Sequence, residues 1–244
     1  MKAIIYLFFL GNLITSAYAV THFNECVSGQ NKPIEHFDFS ARENGLKKKI
    51  LVIAGIHGDE PQSQQLAIHW LNRIRKINTP SNFWRFVPEL NPDGSELKTR
   101  TNGNSVDLNR NFPTKDWDEV ALAHWKNQQK SHPRRFPGKS GGSESETLCA
   151  IAHIENFKPD LVISIHTPYG LFDFDGPPNK KIVTQLLPWK RLGTFPGSMG
   201  RYLWDERNIP VLTIELRPDS LQKHLSEFVI LQDRVSELIT SSNN

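Results

Sequence analysis

Apolar and polar positions along this chain follow two periods. Lys49 to Ile56 (KILVIAGI) is a near-continuous, β-branched apolar run that closes around a glycine. A run of that kind is a strand buried on both faces. From Pro61 to Lys76 the apolar residues Leu66, Ile68, Leu71 and Ile74, with Trp70, fall on one helical stripe, and Pro61 stands where a helix can begin. Phe83 to Leu90, Leu161 to His166 and Val211 to Leu216 read as further strands. Glu144 to Phe157 reads as a helix, with Ser143 placed to cap it and Glu146 to complete a capping box. Leu221 to Ile239 has the pattern of a C-terminal amphipathic helix. Two stretches lack either period. Asn91 to Pro113 is a long loop rich in Asn, Gly and Asp, of a length usually kept for function. Gly170 to Gly197 is irregular and punctuated by Pro and Gly. Strands alternating with helices predict an α/β fold with a mainly parallel sheet.

Composition narrows the class. The 244 residues are 38% hydrophobic and 23% charged, which excludes disordered and fibrous chains and suits one domain with a sizeable core. The net charge of +3, with no Lys/Arg run interleaved with aromatics, gives no reason to expect a nucleic-acid partner. The cluster Lys47-Lys48-Lys49 reads as a solvated strand entry. The first residues carry a separate message. Met1-Lys2, the apolar stretch Ala3 to Leu13 and the small-x-small triplet Ala17-Tyr18-Ala19 form a secretory signal over residues 1–19. Residues 20–244 are then expected to be one exported domain. The apolar stretch is too short to span a bilayer comfortably, and no later stretch approaches that length, so no membrane span is expected after cleavage. Export would put Cys26 and Cys149 in an oxidising compartment. Sequence leaves two options for them, a disulfide or two separate thiols.

Candidate chemistry gathers at the predicted strand ends. His57, His166 and Glu215 all fall at C-terminal ends of strands, the rim where open α/β sheets bind ligands. His57 and Glu60 are two residues apart in a turn where Gly55 and Gly58 let the chain bend. Alone, this pair reads first as a loop histidine beside a first-turn acid, and the later motifs reverse that. With His166 as a third ligand, two histidines and one carboxylate can hold a zinc ion and leave one place open. Asp59 and Asp160 sit less well at strand ends. Glu215 is a charge within the apolar run VLTIEL and is a candidate general base, with pairing to Arg217 as the structural alternative. Asn109 and Arg110 can grip a carboxylate, the planar guanidinium matching its fork. Arg100 is placed to stabilise an oxyanion.

The segments GIHGDE, NPDG, TRTN, DLNRNFP, SIHTP and VLTIEL, in this order from Gly55 to Leu216, resemble the zinc carboxypeptidase family of the carboxypeptidase A type. Within that family the chain is similar to the bacterial murein peptide amidases, through SESET (Ser143 to Thr147) and GSMGRYLWDERNIPVLTIEL (Gly197 to Leu216). The resemblance implies a three-layer α/β/α sandwich with a mixed, mainly parallel sheet of about eight strands. It implies one zinc ion on His57, Glu60 and His166, with Glu215 as base and Arg100 polarising the scissile carbonyl. It further implies that Asn109 and Arg110 bind the free C-terminal carboxylate of a peptide. The substrate it implies is a peptidoglycan stem peptide, cut between γ-D-glutamate and diaminopimelate. A substrate-capping tyrosine found in digestive members is not assignable; Tyr202 is nearest in sequence but reads as helical. Met199 lies near the expected wall of the specificity pocket. Two other readings compete. Desuccinylases and aspartoacylases share related motifs, but usually carry a β-rich C-terminal domain where one helix is predicted here. A non-catalytic wall-peptide binder would usually have lost a ligand or the base, and every position is filled.

Overall fold

The computed structural model describes residues 25–77, 80–178, 181–182 and 184–240; the predicted signal at Met1 to Ala19 lies outside them. In chain order the strands are β1 (Phe37–Phe39), β2 (Lys49–Ile53), β3 (Phe83–Val87), β4 (Leu161–His166), β5 (Leu171–Asp175) and β6 (Val211–Glu215). The α-helices are α1 (Pro61–Ile77), α2 (Pro92–Leu97), α3 (Leu122–Asn127), α4 (Ser145–Phe157), α5 (Ser220–Lys223) and α6 (Leu225–Arg234). All the strands join one sheet in the order β1-β3-β2-β4-β6-β5. The inner four run parallel, and both edges are antiparallel. The apolar runs sit where their composition requires. β4 is buried at every position, with β2 and β6 on either side of it.

Side-chain alternation along these strands builds two cores. On one face Ile50, Val52 and Ile163 pack with Trp70 and Leu71 of α1 and with Phe228 and Leu231 of α6. On the other, Leu51, Ile53 and Val162 pack with Ala150 and Ile154 of α4 and with Tyr202 and Leu203. This is the three-layer α/β/α sandwich. The first helical layer is also stitched by polar bonds. Trp70 Nε1 donates to the Phe228 carbonyl at 3.0 Å, and Gln232 Nε2 donates to the Trp70 carbonyl at 3.1 Å.

Several expectations are corrected in detail. Six strands form among the described residues, where the resemblance implied about eight. The stretch after β5 holds Pro177, Pro178, Pro188 and Pro196, which cannot donate to a ladder, and among the described residues it adds only an isolated bridge from Trp189 to Phe172. The capping box on α4 does not form. Glu144 is the residue at the cap position, and Glu146 is recruited by the Gly29 N–H at 2.9 Å and by Asn102 Nδ2 at 3.0 Å. The C-terminal helix is broken at His224, whose φ of −127° is not helical. Cys26 and Cys149 form a disulfide, with Cα atoms 5.5 Å apart. It fastens the N-terminal segment to α4 across a sequence separation of 123. In the chain-entropy picture a loop that long stabilises the fold by about 4–5 kcal/mol.

Candidate metal centre and cleft

The turn after β2 carries the first two candidate ligands, and two glycines shape it differently. Gly55 has φ +61°, the left-handed region that favours glycine. Gly58 has no positive φ; its role is close approach. A Cβ there would lie 1.9 Å from the carbonyl carbon of Gly94. Gly94 is held in turn by Asn91, which caps α2 by accepting from the Gly94 N–H at 2.8 Å and donates to the Ile56 carbonyl at 3.3 Å. The Asn-Pro-Asp-Gly segment is therefore a buttress for the His57 turn.

His57, Glu60 and His166 converge. His57 Nδ1 is 2.9 Å from Glu60 Oε1, His166 Nδ1 is 3.2 Å from Glu60 Oε2, and the two Nδ1 atoms are 3.2 Å apart. All three residues are buried. Ligand atoms around a tetrahedral zinc with bonds of about 2.0–2.1 Å are separated by roughly 3.3 Å. The donor set and its spacing thus fit zinc. The outer ring nitrogens are occupied too. His57 Nε2 meets Asp107 Oδ1 at 3.1 Å, and His166 Nε2 meets Ser164 Oγ at 2.8 Å. Such partners fix the orientation of ligating imidazoles.

Asp107 is the hub of this arrangement, and sequence reading gave it no role. Its Oδ1 also accepts from the Asn109 N–H at 3.1 Å, starting the 3-10 turn Leu108–Arg110, and its Oδ2 accepts from Arg100 Nε at 2.9 Å. Burial opposes its ionisation, but Arg100 and His57 outweigh that and hold the carboxyl well below the ordinary range. Glu60 is alike: burial works against the charge, while His57 and His166 prevail and keep it ionised. An Asp two residues before Asn109 was readable as a turn cap; its bond to His57 was not. Asp107→Ala is expected to weaken zinc binding about 10- to 100-fold. Competition against a chelating dye measures this, and unchanged affinity would detach Asp107 from the metal centre.

Glu215 ends β6 in register with His166 at the end of β4. It makes no ion pair with Arg217 among the described residues; its Oε2 accepts from the Tyr169 N–H at 3.4 Å. Burial pushes its carboxyl up, with Glu60 adding to the effect and His166 opposing it. Asp59 pairs instead with Arg134 at 2.6 Å, and Asp160 bonds the Lys49 N–H at the opposite end of the sheet.

One cleft of about 770 Å³ is lined by His57, Glu60, His166, Arg100, Asn109, Arg110 and Glu215 together. Every residue that the sequence offered as ligand, base, oxyanion partner or carboxylate grip reaches it. Arg110 lies over the Phe195 ring at 4.6 Å, and its NH1 donates to the Asn109 carbonyl at 2.6 Å. Asn109 Oδ1 accepts from the Met199 N–H at 2.9 Å, which leaves its amide nitrogen for other partners. Tyr202 is buried beside Phe112 and Arg207 and does not line the cleft, whereas the exposed Tyr169 does. Asp173 and Asp175 also line it; they lie in the stretch that read as irregular.

Comparison with known proteins agrees with this geometry. The family described as zinc carboxypeptidase matches residues 16–172. The murein peptide amidase A of Vibrio campbellii is 30% identical over 233 residues, covering 88% of this chain and 89% of that protein. The protein of the same name from Escherichia coli K12 is 34% identical over 137 residues, 55% of this chain and 53% of its own length. Among solved structures, the murein-tripeptide amidase MpaA from Escherichia coli O157 superimposes with a TM-score of 0.63 at 25% identity, covering 91% of this chain and 92% of that one. Thrombin-activatable fibrinolysis inhibitor, at 16% identity and a TM-score of 0.66, shares the fold. The chain belongs to the zinc carboxypeptidase family.

Proposed function

We propose that this protein is a metallopeptidase that removes a C-terminal residue from cell-wall peptides, cutting the bond between γ-D-glutamate and diaminopimelate. The observation that carries the reading is the meeting of a His57–Glu60–His166 triad, a buried acid and an Asn–Arg pair in one cleft. The names of the relatives above support the murein substrate. One zinc ion would be held by His57, Glu60 and His166; when bound it supplies Lewis-acid polarisation and acidifies water. Glu215, with its carboxyl raised by burial, takes a proton from the attacking water and delivers it to the leaving amine. Arg100, anchored on Asp107 and 3.5 Å from Glu60, presents its guanidinium to the oxygen that gains charge. Asn109 and Arg110 hold the terminal carboxylate and so fix which bond is cut. The predicted signal at residues 1–19 and the Cys26–Cys149 disulfide support a periplasmic location, with residues 20–244 as the catalytic unit.

The test is mass spectrometry of products after incubating the zinc-loaded protein with L-alanyl-γ-D-glutamyl-diaminopimelate. The expected products are free diaminopimelate and L-alanyl-D-glutamate. Release of alanine instead, or deacylation of N-succinylglutamate with the tripeptide untouched, would replace this reading.

A further inference from the structure

The segment from Cys26 to Ile34 folds back on itself as a small hairpin. Val27 bridges Pro33, the Ile34 N–H donates to the Cys26 carbonyl at 2.9 Å, and the Ser28 N–H donates to the Lys32 carbonyl at 2.8 Å. Its apolar anchorage is slight. Cys26 and Ile34 enter the core beside Cys149 and Ala150, while Val27, Gly29, Gln30, Asn31 and Pro33 are exposed. A segment with so little buried surface opens easily unless something else fastens it. Here the fastening is the Cys26–Cys149 bond to α4.

The hairpin reaches the metal centre by two routes. The first runs through α2. The Gln30 N–H donates to Asp93 Oδ2 at 3.0 Å, and Lys32 Nζ lies 3.2 Å from Asp93 Oδ1 and also pairs with Glu96. Asp93 is wholly buried, and among the described residues both polar partners of its carboxylate belong to the hairpin. The next residue, Gly94, is the one packed against Gly58 in the His57 turn. The second route runs through α4. Glu146 accepts from the Gly29 N–H with one oxygen and from Asn102 Nδ2 with the other, and Asn102 Oδ1 accepts from the Val106 N–H at 3.0 Å. Val106 precedes Asp107, whose Oδ1 meets His57 Nε2. Both routes therefore end on His57, one at its turn and the other at its ring.

We infer that the Cys26–Cys149 disulfide is a redox latch on the metal centre, so that the site gains its full zinc affinity only when the bond closes. Closure removes two electrons and two protons from the two thiols, and a disulfide oxidant accepts them to become a pair of thiols. With the bond open the hairpin is free to leave. Asp93 would then be a buried carboxylate without its cation, a costly state that α2 relieves by moving toward water. That movement takes Gly94 from behind Gly58 and loosens the His57 turn. Metal loading would thus follow oxidation, and the chain would stay poorly loaded wherever thiols are kept reduced. This goes beyond the substrate reading above, because it concerns the metal centre alone.

The test measures zinc affinity of the full chain by competition against a chelating dye, at a temperature where circular dichroism shows each variant folded. Melting of the metal-free proteins is recorded beside it. Cys26→Ser/Cys149→Ser opens the latch and also removes thiols that could themselves bind zinc beside His153. Lys32→Met keeps the disulfide but takes the cation from Asp93, and it decides the matter if the serine variant does not fold. Both should bind zinc at least about fivefold more weakly than wild type, the lower end of ordinary coupling between sites. Adding Asp93→Asn to Lys32→Met should restore the affinity, since the amide needs no cation and its oxygen still accepts from the Gln30 N–H. Wild-type affinity in the folded variants, even with a lowered melting temperature, would make the disulfide merely structural and overturn the inference. A loss in Lys32→Met that Asp93→Asn does not restore overturns it as well. If the affinities shift as expected while no wall peptide is cut, the latch stands and the peptidase reading falls.

Discussion

Glu215→Gln is expected to keep its metal and lose about 10²- to 10⁴-fold in kcat, the range that general acid–base catalysis supplies. The substitution is nearly isosteric and retains an oxygen to accept from the Tyr169 N–H. It leaves His57, Glu60 and His166 untouched, and the spacing of their donor atoms does not depend on Glu215. What vanishes is the proton acceptor. Because that interaction matters only in the transition state, kcat and kcat/KM should fall together with KM little changed. Zinc content by atomic emission and steady-state kinetics on the tripeptide read the two halves separately. A near-normal rate would remove Glu215 from the chemistry; loss of zinc would make it part of the metal centre.

Arg110→Ala should cost about 2–5 kcal/mol of binding for substrates with a free terminal carboxylate, at least about 30-fold in kcat/KM. The guanidinium is buried, its Nε has no acceptor, and its ring neighbour Phe195 offers only a π face. Burial lowers its pKa to about 10, with Asp107 opposing that and Arg100 and Arg135 adding to it. A cation so short of acceptors is satisfied by an anion that enters the cleft. The discriminating control is a substrate with its terminal carboxylate amidated, on which wild type and variant should perform alike. If the variant lost as much on the amide as on the acid, Arg110 would be a packing residue.

What could be read from sequence follows from what each element depends on. β4 was legible to the residue, because a strand buried on both faces needs a near-continuous apolar run and Leu161 to Ile165, interrupted only by Ser164, supplies it. The convergence of His57, Glu60 and His166 was legible because both histidines sit at the ends of such runs. β5 was not. LFDFD carries two acids, follows Pro168 and Gly170 and precedes Gly176, so its polar face reads as loop until a cleft gives those acids a place. β1, three residues long, depends on pairing with β3 and shows no period of its own. The capping box on α4 failed because Glu146 had a stronger claim on it from Gly29 and Asn102, partners distant in sequence. The same kind of distance hid Asp107, fifty positions from the histidine it holds.

That placement of Asp107 couples two properties an engineer would prefer to adjust independently. One oxygen of this carboxylate both orients the His57 imidazole and seats the turn bearing Asn109 and Arg110, while the other tethers Arg100. Redesign toward a different ion would disturb the peptide's anchoring, and redesign toward a different chain end would detune the ion. Variants that alter one without the other must therefore be sought outside this junction.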